Sequence, residues 1–405
     1  MPNTDGGHKL VVIETHPVQY HAPVYRAVQK LFSIPVTVIY GSDFSIAGFK
    51  DHEFGTFFAW DTDLLSGYEP VFLSRVAEGG ANTADATQAK GLARKLHQIE
   101  HSVVMLTGYS GAFYRSSLYC LWKRRTPLLF RAETTDHARV RSSLQSWIRD
   151  RALERLYERC ARVLYIGRRS YDHLTRLGCP LEKLVFSPYC VDISPFQCDE
   201  DARLRLREST RKSLAIHEND VVLLFSGKLT PRKAPALILE AVKTVPEPLR
   251  SSLQVLFLGD GELREQINAL SRTEPSVRAQ VLGFRNQRGL SEFFHASDLL
   301  ILPSLHSETW GLVVNEALHH GLPCVVSEGV GSAPDLVHNG VTGAICQPGS
   351  AESLAQAIVG LLPILKRPET RDACRNTVAS YGVEQAARGI ANAFQGVLST
   401  ELNRN

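Results

Sequence analysis

Ser307-Glu308-Thr309-Trp310-Gly311-Leu312-Val313-Val314-Asn315-Glu316-Ala317-Leu318 is the stretch that decides how this 405-residue chain reads. It is flanked by two short apolar runs, Leu299-Leu300-Ile301-Leu302 before it and Pro323-Cys324-Val325-Val326 after it. A wholly apolar run closed by Gly, Ser or Pro has the character of a strand buried on both faces. The stretch therefore predicts a strand, a tight loop and a buried helix, with Glu308 on the loop and Glu316 inside the helix. If all eight steps between them were helical, the two residues would stand about 12 Å apart at 1.5 Å per residue.

The same grammar recurs on both sides. Val221–Phe225, Val255–Leu258 and Gln280–Leu282 precede the stretch as further buried strands. Earlier still come Leu10–Ile13, Ile34–Tyr40, Ser102–Leu106, Pro127–Phe130 and Arg162–Ile166, with helical segments between them, the first from about Ala22. Leu144, Ile148, Ala152, Leu156 and Cys160 recur every four residues, which predicts an amphipathic helix over Val140–Cys160. Alternation of this kind predicts an α/β chain of two doubly wound Rossmann-like domains facing across a cleft. The boundaries read as 1–197, 198–378 and a C-terminal segment 379–405, whose Ala-rich helix Val383–Leu398 is expected to return to the first domain. The polar stretch from Gln197 to about Asn219 reads as the linker.

Composition bounds the function. The chain is 44% apolar and 21% charged, ordinary for a globular protein, and a net charge of +3 gives no argument for nucleic acid. Eight cysteines are scattered without a Cys-x-x-Cys pair, which speaks against a metal or disulfide framework and suits a reducing cytoplasm. The polar first nine residues do not look like a signal peptide, and no apolar run approaches the length of a membrane span. Charge is uneven: residues 115–176 hold fifteen Lys/Arg against six Asp/Glu, so the rest of the chain carries −6. Such a surplus is either a set of solvated helix faces or a surface that meets anionic lipid at the inner face of a membrane, or a phosphorylated acceptor.

Four segments fall at strand ends in the second half. In Gly227-Lys228-Leu229-Thr230-Pro231-Arg232-Lys233, Gly227 lets the backbone turn, and Lys228 and Lys233 bring two cations that can neutralise a diphosphate without a metal. Gly259-Asp260-Gly261-Glu262 is half of a dinucleotide fingerprint, lacking its third glycine. Gly283-Phe284-Arg285 offers a backbone against which a base can rest. The fourth is the glutamate pair. Glu316 can accept two hydrogen bonds from a ribose diol, Glu308 from sugar hydroxyls, and Gly311 admits a phosphate close to the backbone. A ligand with a sugar at one end, a ribose at the other and a diphosphate between spans that pair, with the helix N-terminus aimed at the phosphates. An unpaired carboxylate in a helix as apolar as Leu312–Leu318 would be costly, which favours a ligand or a basic partner for Glu316.

Taken in order, Gly227-Lys228-Leu229, Lys233, Gly259-Asp260-Gly261, Leu282-Gly283, Pro303-Ser304, Glu308-x7-Glu316-Ala317, Ser332-Ala333-Pro334-Asp335 and Gly340-x-x-Gly343 resemble the donor domain of family 4 glycosyltransferases of the GT-B fold. The resemblance covers residues 220–350 and extends to Val191-Asp192 and Phe196. It implies a nucleotide diphospho-sugar donor, with Lys228 and Lys233 on the diphosphate, Glu316 on the ribose and Glu308 on the sugar. Thr309, Trp310, Gly311 and Leu312 would offer backbone N–H groups. It also implies retention of anomeric configuration, no metal and no other cofactor, and front-face attack by an acceptor hydroxyl. The chain departs from the pattern at Lys228, usually Arg, at Tyr189-Cys190, often Asn-Gly, and at Asp335, usually Glu.

The first half carries the acceptor-side candidates. Thr15-His16-Pro17-Val18-Gln19-Tyr20-His21 follows the first strand, putting His16, Gln19 and His21 forward. Arg131-Ala132-Glu133-Thr134-Thr135-Asp136-His137 follows another strand, making Glu133 and His137 catalytic candidates, with Asp136 able to orient the imidazole. Asp61-Thr62-Asp63 is a lone Asp-x-Asp, a spacing that arises by chance. Competing readings are a nucleotide-sugar epimerase and a non-catalytic sugar-nucleotide binding module on the same fold.

Overall fold

Leu10, Val11, Val12 and Ile13 are fully buried at the centre of a seven-stranded sheet. The computed structural model describes residues 8–50, 57–58, 62–99, 101–137, 142–196 and 198–402. The first sheet runs Glu69–Phe72, Val36–Tyr40, Leu10–Glu14, Val103–Leu106, Leu128–Arg131, Arg162–Tyr165, Leu184–Phe186, every neighbouring pair parallel. The second has six parallel strands in the order Arg278–Gly283, Leu253–Leu258, Val221–Ser226, Leu299–Leu302, Cys324–Ser327, Gly343–Cys346. The inner strands are continuous β-branched and Leu-rich runs buried on both faces, as parallel strands covered by helices require, while the edge strands Glu69–Phe72, Leu184–Phe186 and Arg278–Gly283 are partly exposed. In each sheet the strand order reverses beside the first strand of its series, which opens a crevice at the carboxyl ends.

The last helix, Val383–Leu402, crosses back to the first sheet. Its Ala386, Ala387, Ile390, Ala391, Phe394 and Val397 pack in one core with Val24, Tyr25 and Val28 of the helix Ala22–Phe32. Near the crossing, Asp335 accepts from the backbone N–H of Arg168 at 2.9 Å and from the Tyr381 hydroxyl at 2.8 Å, joining the two halves.

Two expectations need correction. The polar stretch 197–219 is not a linker: Glu200–Ser213 is a helix capped by Asp199 and packed on the second domain. Arg207 and Arg211, one turn apart, each bind the buried Asp298 carboxylate at 2.6 Å, so a sequence that reads as solvated is a charge-paired face. The second concerns the helix Ser143–Arg159. Leu144 and Ile148 are 66% and 55% exposed, while Leu156 and Cys160 are buried. A strict four-residue spacing advances about 40° per step around a helix of 3.6 residues per turn, so Leu144 and Cys160 point roughly 160° apart. The buried face is instead Leu153, Leu156 and Tyr157. Within the basic region Asp136 and Asp150 pair with Arg149 and Arg176, which leaves the surplus itself on the other arginines and lysines.

Candidate active site

Two loops of the second domain touch before any side chain is considered. The backbone carbonyl of Gly227 lies so close to Gly259 that a Cβ there would sit 1.9 Å from the oxygen. Gly259 therefore has its reason in chain approach, and the Gly227 loop is held over the strand ends. The helix Leu312–His319 begins at Gly311, whose φ of +89° is in the left-handed region and which brings no capping side chain. Leu312 and Val313, in its first turn, line the cleft.

That cleft is a cavity of about 430 Å³ between the two domains. It collects Gly227, Lys228, Lys233, Phe284, Arg285, Glu308, Thr309, Trp310, Gly311, Leu312 and Glu316, while of the segment Gly259-Asp260-Gly261-Glu262 only Gly259 lines it. Glu308 lies 3.1 Å from the Lys233 ammonium and 3.2 Å from the Arg232 guanidinium, and accepts from the Ser304 hydroxyl at 3.2 Å. Burial works to raise its carboxyl, but Lys233 and Arg232 together hold it below the usual range. The group is thus an anion in a cationic cradle, and an incoming diphosphate would share those cations with it.

Glu316 has the opposite character. It is 4% exposed, and burial pushes its carboxyl up to about 7. Among the described residues no Lys or Arg forms an ion pair with it. One oxygen lies 3.5 Å from the Tyr20 hydroxyl and the Gln287 side-chain amide, the outer limit of a hydrogen bond. Both neighbours also line the cleft. A buried carboxylate so loosely held has capacity for two further donors, such as a vicinal diol. Trp310 is placed differently from a ligand contact: its indole N–H donates to Asn315 at 2.8 Å, and its ring lies between Tyr189 and Tyr381.

The first domain supplies the opposite wall through Gln19, Tyr20, Glu133 and Tyr189. The histidines do not join them. His16 packs on Phe44 with ring centroids 4.4 Å apart and bonds its neighbour Thr15, and burial lowers its pKa to about 4. Two residues past the strand, it turns toward the helix Phe44–Ala47 rather than the cleft. His21 is buried against Glu14 at 2.5 Å, behind Tyr189. His137 is exposed and outside the cavity lining. Asp136 does not orient it, since that carboxylate is occupied by His173 at 2.7 Å and by Arg176 at 2.7 and 2.8 Å. In the Asp-x-Asp triplet, Asp61 lies outside the described residues, and Asp63 accepts the backbone N–H groups of Leu65 and Ser66. Sequence reasoning passed over Arg232, Tyr20, Gln287 and Tyr189. Arg232 stood inside an already chosen loop and Tyr20 beside Gln19; Tyr189 was visible only as a departure from the family pattern.

Residues 207–379 match the model of a family described as Glycosyl transferases group 1. A D-inositol 3-phosphate glycosyltransferase from Geodermatophilus obscurus is 34% identical over 245 residues, 56% of this chain and 50% of that protein. The chain spans about half the length of the curated relatives it matches. Among solved structures, Anabaena HepE in complex with UDP and glucose superposes with a TM-score of 0.67 at 17% identity, over 96% of this chain and 99% of that one. The sucrose-phosphate synthase of Thermosynechococcus elongatus gives 0.69 at 16% identity, over 97% and 100%. Two parallel-sheet domains, a cleft at their strand ends and this likeness come to one conclusion: the chain has the GT-B fold, and its residues 207–379 are similar to the group 1 glycosyl transferases.

Proposed function

We propose that this chain is a retaining, metal-independent glycosyltransferase that moves a hexosyl group from a nucleotide diphospho-sugar to an acceptor hydroxyl on a glycan, glycolipid or metabolite. The observation that carries the reading is the contrast inside one cavity: Glu308 ionised among Lys233, Arg232 and Ser304, and Glu316 buried and, among the described residues, in no ion pair. The first region suits a diphosphate and sugar, the second a ribose. Lys228, Lys233 and Arg232 would stabilise the leaving phosphate as the C1–O bond breaks. The departing phosphate oxygen would take the proton of the acceptor hydroxyl as the new C1–O bond forms on the same face. A thermal-shift screen of UDP-, GDP- and ADP-sugars tests this, because a ligand of the folded state raises stability by mass action. UDP-glucose is the first donor to try, given the UDP and glucose held by HepE on the same frame. No shift with any of the three would refute the reading.

A peripheral membrane role belongs to the same proposal. Among the described residues no helix is long and apolar enough to cross a membrane. Exposed Tyr119, Trp122, Leu144, Trp147 and Ile148 lie on two helices of the basic 115–176 region, a combination that suits an anionic lipid surface. Salt-sensitive flotation with phosphatidylglycerol vesicles checks it.

A further inference from the structure

Four side chains of the first domain, two of them in the cleft wall and two behind it, form one hydrogen-bonded line that ends on the second domain. Glu14 is 2% exposed and meets His21 Nδ1 at 2.5 Å. Its other oxygen accepts from the Tyr25 hydroxyl at 3.2 Å. His21 Nε2 lies 3.2 Å from the Tyr189 hydroxyl oxygen. Tyr189 donates to one oxygen of Glu133, and Thr309, next to Glu308, donates to the other. Glu14, His21 and Tyr189 are buried, where an unsatisfied polar group is expensive, and each is bonded; Glu133, at the cleft end, is exposed.

Counting hydrogens gives the line a direction. Tyr189 has one, and gives it to Glu133. Burial, then the charge of Glu133, raise the pKa of this phenol far above its ordinary value, so it keeps that hydrogen. Its oxygen must therefore accept from His21, whose Nε2 carries a hydrogen. A second hydrogen lies between Nδ1 and Glu14. With two hydrogens the Glu14–His21 unit is neutral, whichever partner holds the shared one. The net negative charge of the line rests on Glu133, at the cleft end.

We propose that Tyr189 and His21, backed by Glu14, are positioning residues that hold the Glu133 carboxylate as a fixed negative charge beside the Glu308–Thr309 loop. The proposal rests on the glycosyl-transfer reading for its consequence: as the C1–O bond to phosphate breaks, the sugar gains positive charge, and an oriented carboxylate stabilises it. Arg131 supports the arrangement from below, donating to Ser187 and to the Pro188 carbonyl with its guanidinium against the Tyr189 ring.

The experiment has two arms on the full chain. In the first, long-range nitrogen NMR of histidine-labelled protein, with His21 assigned through H21Q, reads the ring state at pH 7. The expected result is a hydrogen on Nε2, with that resonance displaced in Y189F. A bare Nε2 in the wild type overturns the proposal, and this arm stands even if no nucleotide sugar binds. The second arm follows nucleotide release, with water as acceptor, from whichever of UDP-glucose, GDP-mannose and ADP-glucose gives the largest thermal shift. Y189F is expected to lower kcat about tenfold and E133Q about 100-fold, with KM for the donor within about twofold in both. The Y189F/E133Q double variant is expected to fall no further than E133Q, because the phenol acts only through that carboxylate. Additive losses, or a rise in KM that accounts for the effect, would overturn it.

Discussion

Replacing Glu316 with Gln tests the most unusual electrostatic feature of the cleft. Burial raises this carboxyl to about 7 in the folded protein, against an ordinary value of 4.5. Below pH 4.5 the group is protonated in folded and unfolded chains alike and costs nothing. From there to about 7 the unfolded chain ionises while the folded one keeps its proton, so folding takes up a proton and stability falls as pH rises. Above about 7 both forms are ionised and the loss is complete. A shift of about 2.5 units corresponds to roughly 3 kcal/mol. In a domain of this size that is a Tm difference of roughly 6–12 °C. Gln keeps the shape and one acceptor but does not titrate. Glu316→Gln is thus expected to match the wild type at pH 4.5 and to melt higher at pH 8, while losing the thermal shift given by a nucleotide sugar. The assay is paired thermal melts from pH 4.5 to 8.5, without and with UDP-glucose. A gap between the two proteins that stays constant across this range would refute the argument, because only a titrating group makes it widen.

Other changes have equally direct readouts. Lys233→Ala removes the nearest cation from Glu308, and is expected to weaken the nucleotide-sugar thermal shift by an order of magnitude in affinity; a full shift would mean that the diphosphate lies elsewhere. Asp298→Ala leaves Arg207 and Arg211 without their buried partner and the Val222 N–H without its acceptor. The expected cost is about 3–5 kcal/mol, seen as a lower urea midpoint of the second domain. Gly259→Ala forces a Cβ to within 1.9 Å of the Gly227 carbonyl. It is expected to displace the Gly227 loop and abolish nucleotide binding even where circular dichroism shows the sheet intact.

The buried strands were legible because their sequences allow little else. Val221–Phe225 and Leu299–Leu302 are continuous apolar runs between breakers, and both fall where expected. Glu308 and Glu316 were read as one carboxylate before a helix and one inside it, and the helix Leu312–His319 places them so; the pair alone is modest evidence and gained weight from the ordered motifs around it. What escaped was information held by partners distant in the chain. Nothing in Arg203–Arg211 announces that Asp298 waits for two of its guanidinium groups. His16 looked like a cleft residue from its place after a strand, but the direction of its ring depends on Phe44. Glu133, put forward as a catalytic candidate, lines the cleft, while its tie to Thr309 spans 176 positions of sequence. Strand Gly343–Cys346, at the edge of its sheet, was too short and too mixed to stand out.

The return of Val383–Leu402 to the first sheet has a consequence for biosynthesis. The strands of that sheet leave the ribosome first, yet the helix that shields Val24, Tyr25 and Val28 emerges after the whole second domain. During translation the early half waits with a greasy flank uncovered, and it closes only when the final turns arrive. A premature stop near residue 380 would therefore injure the half that was made long before it and spare the strands made just ahead of the stop.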